Sequence, residues 1–180
     1  MYHIIMKLYR FSPIDTQEEL LKAIRHIHKE SSRLCMRSFG RYLPNAGNMG
    51  VFCHYDDEYA HLTSIRESLT EASDNINQKY FRLYQPIIIP ADKEVPETIY
   101  SYLYIRKPDP YRHHVGDVDY YLDPAEYQKV KTRVIQGSGP PGTRVFERTD
   151  LDMIELYDPD VDVLAYVSTT KMVEHVRVKQ

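Results

Sequence analysis

The stretch TIYSYLYIRK, residues 98–107, constrains the fold of this chain more than any other. It packs tyrosine, isoleucine and leucine densely with no internal glycine or proline, a composition suited to a pleated strand. Side chains alternate across a strand, so Tyr100, Tyr102, Tyr104 and Arg106 are expected on one face and Ile99, Leu103 and Ile105 on the other. A second run of the same kind, KYFRLYQPIIIP at 79–90, precedes it across the charged, proline-bearing ADKEVPE. The two are expected to pair as a hairpin. Tyr80, Arg82 and Tyr84 would then join the tyrosine face, with Phe81 and Leu83 opposite.

Other elements follow from capping and periodicity. HIIMKLYRF at 3–11 reads as a first strand, and Thr16 with Glu19 has the spacing of a capping box. Leu20, Ile24, Ile27 and Leu34 continue that helix to a stop at Gly40. RYLPNAGN reads as a loop and MGVFCHY as a buried strand. Asp56 is expected to cap a second helix with a seam of Leu62, Ile65, Leu69 and Ala72. GDVDYYL is a further strand. A third helix starts at DPAE, with Asp123 as cap, Pro124 in first position, Glu126 returning to the cap and Gly137 ending it. RVFER, MIELY and VDVLAYVS read as strands, and KMVEHVRV fits a strand or a helix equally.

At 180 residues a single domain over residues 1–180 is expected, with the GSGPPG loop at 137–142 as candidate sub-boundary. The expected fold is α+β: a mainly antiparallel sheet, helices chiefly on one face, and a βαβ-like N-terminal half for which a ferredoxin-like arrangement is the candidate topology.

A net charge of −3 argues against a generally basic nucleic-acid coat. The charge is nevertheless uneven, with eight Lys or Arg against four acids in residues 1–55 and seven acids against Arg148 alone in 147–162. Cys35 and Cys53 read as reduced core residues and not as a disulfide framework or paired zinc site. No apolar run approaches the roughly 18 residues of a membrane span, so a soluble cytoplasmic protein with no membrane partner is expected. Phosphate-binding glycine loops, dinucleotide fingerprints and nucleophile elbows are absent from the sequence.

Three features bear on chemistry. The first is the Tyr/Arg face of Tyr80, Arg82, Tyr84, Tyr100, Tyr102, Tyr104 and Arg106, where aromatic rings can stack planar groups and guanidinium groups can hold phosphate. The second is a basic stripe of Lys22, Arg25, Lys29, Arg33 and Arg37 on the first helix, as expected of a solvated helix face. The third comprises two acid/histidine clusters. HYDDEYAH carries His54, Asp56, Asp57, Glu58 and His61, whose acids suit helix capping. RHHVGDVDYY carries Arg112, His113 and His114 ahead of Asp117 and Asp119.

The leading expectation is a binding or regulatory protein that receives a planar anionic ligand, a nucleotide or single-stranded nucleic acid, on the Tyr/Arg face, with Arg106 and Arg112 as anion contacts. One alternative is a metal-dependent phosphoester hydrolase in which Asp117 and Asp119 bind a divalent metal and His113 or His114 moves protons. Another is a protein-interaction module, homo-oligomeric or heteromeric, that uses the same tyrosines. The sequence names no cofactor beyond the divalent metal of the hydrolase alternative.

Overall fold

A computed structural model describes residues 9–178. Its centre is a seven-stranded mixed sheet in the order β2-β3-β1-β4-β7-β6-β5. The strands are β1 (Asn45–Phe52), β2 (Phe81–Ile89), β3 (Thr98–Arg106), β4 (Gly116–Tyr121), β5 (Thr143–Arg148), β6 (Leu151–Leu156) and β7 (Val163–Ser168), and the helices are α1 (Gln17–Phe39), α2 (Asp56–Leu69), α3 (Pro124–Ile135) and α4 (Thr170–Val176).

The helices start where their sequences place donors and acceptors. Thr16 and Glu19 form the capping box of α1, and Gly40 closes it in the left-handed region at φ 66°. Asp123 accepts from the backbone N–H groups of Ala125 and Glu126 at the start of α3. Glu126 does not return to that cap; its carboxylate takes Arg41 instead. Asp56 is the first residue of α2, and its N-cap Tyr55 makes no side-chain cap bond. Within KMVEHVRV the residues to Val176 form helix, with the Thr169 hydroxyl capping α4, and Val178 beyond it makes an antiparallel bridge to Gln78.

The expected mainly antiparallel sheet is instead mixed. β2–β3, β1–β4, β5–β6 and β6–β7 are antiparallel, but β1–β3 and β4–β7 are parallel. The parallel pairs arise because each half of the chain brings its last strand back beside its first. β1 leads through α2 and β2 to β3, which lies parallel to β1; β4 leads through α3, β5 and β6 to β7, which lies parallel to β4. In the first half a single antiparallel bridge, Thr70 to Leu83, stands where β5 stands in the second. The halves meet antiparallel along β1 and β4. This arrangement does not confirm the ferredoxin-like candidate. Of the proposed first strand, residues 3–8 lie outside the described residues, and residues 9–11 form a bend.

Three helices cover one face. Leu20, Ile24 and Ile27 of α1, Leu62 of α2 and Tyr127 of α3 join one core with Met49, Val51, Leu103, Val118, Ala165 and Val167 of the sheet. The amphipathic seam read along α1 is therefore the main contact of the helical layer. On the other face Met153, Leu164, Tyr166 and Val176 form a smaller cluster under α4. Glycine permits the tight seam between the halves. A Cβ at Gly116 would collide with the carbonyl oxygen of Gly50 and with Ile27 of α1. Gly116→Ala is expected to lose about 2 kcal/mol or more in a urea unfolding titration, whereas Gly40→Ala, with open space around it and only the left-handed backbone to oppose it, should lose about 1 kcal/mol.

Candidate functional site

The expected tyrosine face divides in the middle of β3. The β2–β3 register shifts between the pairs Arg82–Tyr102 and Ile87–Tyr100, so strict alternation breaks there. Tyr100 turns into the helical core, fully buried, and its hydroxyl lies 2.7 Å from Nδ1 of His28 on α1. Tyr102 carries the guanidinium of Arg177 at 3.8 Å from its ring centroid. Tyr104 and Arg106 reach a cavity on the face away from α1. Tyr80 is buried beside Tyr104, with ring centroids 5.1 Å apart, whereas Tyr84 and Arg82 lie outside the cavity lining and Tyr84 is exposed.

One line of residues crosses the whole sheet on this face. Arg82 pairs with Tyr102, Tyr102 with Asn48, Asp119 with Tyr166, Tyr166 with Glu155, and Glu155 with Arg144. The junction of the halves is closed by Asn48, whose amide donates to Asp119 Oδ2 at 2.9 Å while its own oxygen accepts from Arg177 at 2.9 Å. Buried Glu155 is satisfied by the Tyr166 hydroxyl at 3.1 Å and by Arg144 Nε at 2.7 Å.

The next line contains the site's floor. Tyr104, Gly50, Asp117 and Leu164 are successive partners across β3, β1, β4 and β7. Gly50 has no side chain, and the Asp117 carboxylate occupies the space where its Cβ would stand, with the Tyr80 hydroxyl close by. Asp117 Oδ1 is enclosed and has no hydrogen-bond partner. Asp119 lies two residues along the same strand face. Burial and the neighbouring Asp119 push the Asp117 carboxyl up to about 7, against the opposing pull of Lys79, Arg106 and Arg112. Burial likewise raises the Asp119 carboxyl, opposed by its bond from Asn48.

The cavity above this floor holds about 130 Å³. Its aromatic walls are Phe52, Tyr80, Tyr104, Phe146 and Tyr166, and its cations are Lys79, Arg106, Arg112 and Arg148. Arg106 is steadied by Asp109 at 2.9 Å and lies 4.6 Å from the Phe52 ring centroid. A wider groove of about 810 Å³ adjoins it, sharing Lys79, Tyr104, Arg106 and Arg148 and continuing past Arg66, Phe81 and Lys107.

Among the sequence-selected residues, the structure brings together Tyr80, Tyr104, Arg106, Arg112, Asp117 and Asp119. His113 and His114 stack on each other with centroids 4.4 Å apart and are not part of the lining. Burial and His113 lower the pKa of His114 to about 4. Among the described residues no group of three or more His, Cys, Asp and Glu is placed to hold a metal ion. In HYDDEYAH the Glu58 carboxylate accepts from the backbone N–H groups of Ile14 and His54, His54 Nδ1 lies 2.7 Å from the Ser12 hydroxyl, and His61 contacts the Asp15 carbonyl. These groups bind chain segments to one another. The basic stripe is likewise partly paired, Lys22 with Glu18, Arg33 with Glu30 and Arg37 with Asp158. Cys35 and Cys53 are buried free thiols. Sequence reasoning does not select Lys79, Phe146, Arg148 or Tyr166, nor Gly50, although a glycine inside a buried strand marks close approach of another group.

No family model and no curated protein matches the chain. Among solved structures it is similar to a structural-genomics structure titled Protein EC4020, at 16% identity over 96% of this chain and 98% of that one, with a TM-score of 0.54. That likeness places the chain in the same α+β fold. A Streptomyces coelicolor methylmalonyl-CoA epimerase variant in complex with 2-nitronate-propionyl-CoA matches over 70% of this chain and 98% of that one, at 14% identity and a TM-score of 0.30, a level from which neither fold nor activity follows. Among the described residues no helix is long and apolar enough to cross a membrane.

The buried floor has a measurable signature. A carboxyl held near 7 in the fold and near 4 when unfolded binds more protons in the folded state between those values, so its contribution to stability is full below about pH 4 and is lost as pH rises toward 7. Asp117→Asn should therefore gain on the parent protein with rising pH, by about 2 kcal/mol between pH 5 and pH 8 once screening by cavity water is allowed for. Denaturant unfolding of both proteins at the two pH values checks this, and a constant difference would remove the assignment.

Proposed function

We propose that this protein is a binding or regulatory protein whose sheet cavity receives one small planar anionic ligand of mononucleotide size. The observation that carries the reading is the convergence of Lys79, Arg106, Arg112 and Arg148 with Tyr80, Tyr104 and Phe52 around a single cavity. Planar rings fit between aromatic walls, and guanidinium groups match the geometry of phosphate and carboxylate oxygens. A cavity of about 130 Å³ suits one ring, and the adjoining groove has room for the remainder of such a ligand.

A single-stranded polymer fits this geometry less well. Tyr100 faces the helical core and Tyr102 lies under Arg177, which leaves no continuous run of stacking rings along β3. The hydrolase alternative keeps Asp117 and Asp119 together beside arginines, but its proton-moving histidines, His113 and His114, lie outside the cavity lining. The interaction alternative draws on a different surface, the edge hairpin where Tyr84, Ile88 and Ile99 are exposed.

Calorimetric titration with AMP, GMP, CMP and UMP at low salt should give saturable binding to the parent protein, weakened about tenfold or more in Arg106→Ala. Absence of binding by all four would remove the reading. Mass measurement in solution tests the edge-hairpin alternative: a self-associating protein that becomes monomeric in Ile88→Lys would support it, and a monomeric parent protein would count against homo-oligomerisation.

A further inference from the structure

The cavity is polarised along its depth, and that polarity selects the end of a ligand that enters. Cations stand at Lys79, Arg106, Arg112 and Arg148, whereas the floor carries Asp117 and Asp119. Asp119 Oδ2 is already engaged by the Asn48 amide. Asp117 Oδ1 is enclosed, has no partner, and occupies the gap left by Gly50. Oδ1 is closed off in that gap, so a ligand meets the Asp117 carboxylate at its other oxygen, on the side that lines the cavity, and is favoured there when it supplies an N–H. An anionic group is repelled from the floor, and a cationic head is opposed by the four basic side chains around it. A neutral donor is what remains, such as the exocyclic amino group of a heterocycle, which pairs well with aspartate.

We propose that the inner cavity recognises the amino-bearing edge of a planar heterocycle, with the amino group donating to Asp117 while the ligand's anionic group rests among Arg106, Arg112 and Lys79. This rests on the small-ligand reading above and goes further by stating which part of the ligand is read. With Asp117 ionised, a carbonyl in place of the amino group would set oxygen against oxygen in an enclosed site. Discrimination between ligands that differ only there should be large, because a site built around a hydrogen bond leaves its polar group unpaired when the partner is missing.

The test uses matched pairs of mononucleotides, CMP against UMP and AMP against IMP, titrated calorimetrically at low salt and pH 8, where Asp117 is ionised. The amino-bearing member of each pair is expected to bind about tenfold or more tightly. Asp117→Asn can turn its own amide N–H toward a carbonyl, so the preference should shrink below about threefold or reverse. Gly50→Ala keeps the carboxylate in the protein but displaces it, and should also erase the preference, which guards against misfolding of either variant alone. Equal affinity within both pairs would overturn the amino-edge proposal while leaving the small-ligand reading standing. Retention of the preference in both folded variants would also overturn it, and failure of these four nucleotides and of GMP to bind would overturn both.

Discussion

The architecture depends on the close approach of β1 and β4 at Gly50, Gly116 and Asp117. These strands are where the two halves of the chain meet, and side chains larger than hydrogen at the two glycines would meet a carboxylate on one side and a backbone carbonyl on the other. The same closeness that joins the halves opens the space in which Asp117 lies. Core packing and the polar site thus draw on one steric fact, with Met49 and Val118 pointing into the helical core from the residues next to it.

Carboxylates on a sheet interior require compensation, and the fold supplies it unevenly. Glu155 is fully engaged by Arg144 and Tyr166, and Asp119 by an amide that Arg177 in turn orients. Asp117 receives no such bond at Oδ1. Its surroundings respond by holding its proton more tightly and by gathering positive charge nearby. Groups whose partners are all internal rigidify a structure, while a group left without one is where an external molecule can contribute.

Much of the fold was legible because local chemistry and tertiary structure agree. The Thr16–Glu19 box, the Gly40 stop, the Asp123 cap and the two long β runs all lie where their residues predict. The mixed character of the sheet was not legible, because strand direction depends on which distant strand lies alongside and no residue in β3 or β7 encodes that. The split of the tyrosine ladder escaped for a related reason. A register shift between β2 and β3 turns Tyr100 away from Tyr102 although the sequence alternates without interruption. Asp117, Asp119 and Arg106 could be singled out as residue types able to bind charge. Phe146, Arg148 and Tyr166 could not, since only the folded sheet sets the second half of the chain beside Tyr80 and Tyr104.

The seam has a consequence for how such a site can be inherited. Phe52, Tyr80, Tyr104 and Arg106 come from the first half, and Asp117, Asp119, Phe146 and Tyr166 from the second. Each half repeats the same order of strand, helix and returning strand, so the cavity is built like the interface of a dimer whose subunits happen to be covalently joined. The halves are therefore free to differ. Both floor acids come from one of them, whereas two identical subunits would each have to bring the same pair and crowd four carboxylates into one enclosed space.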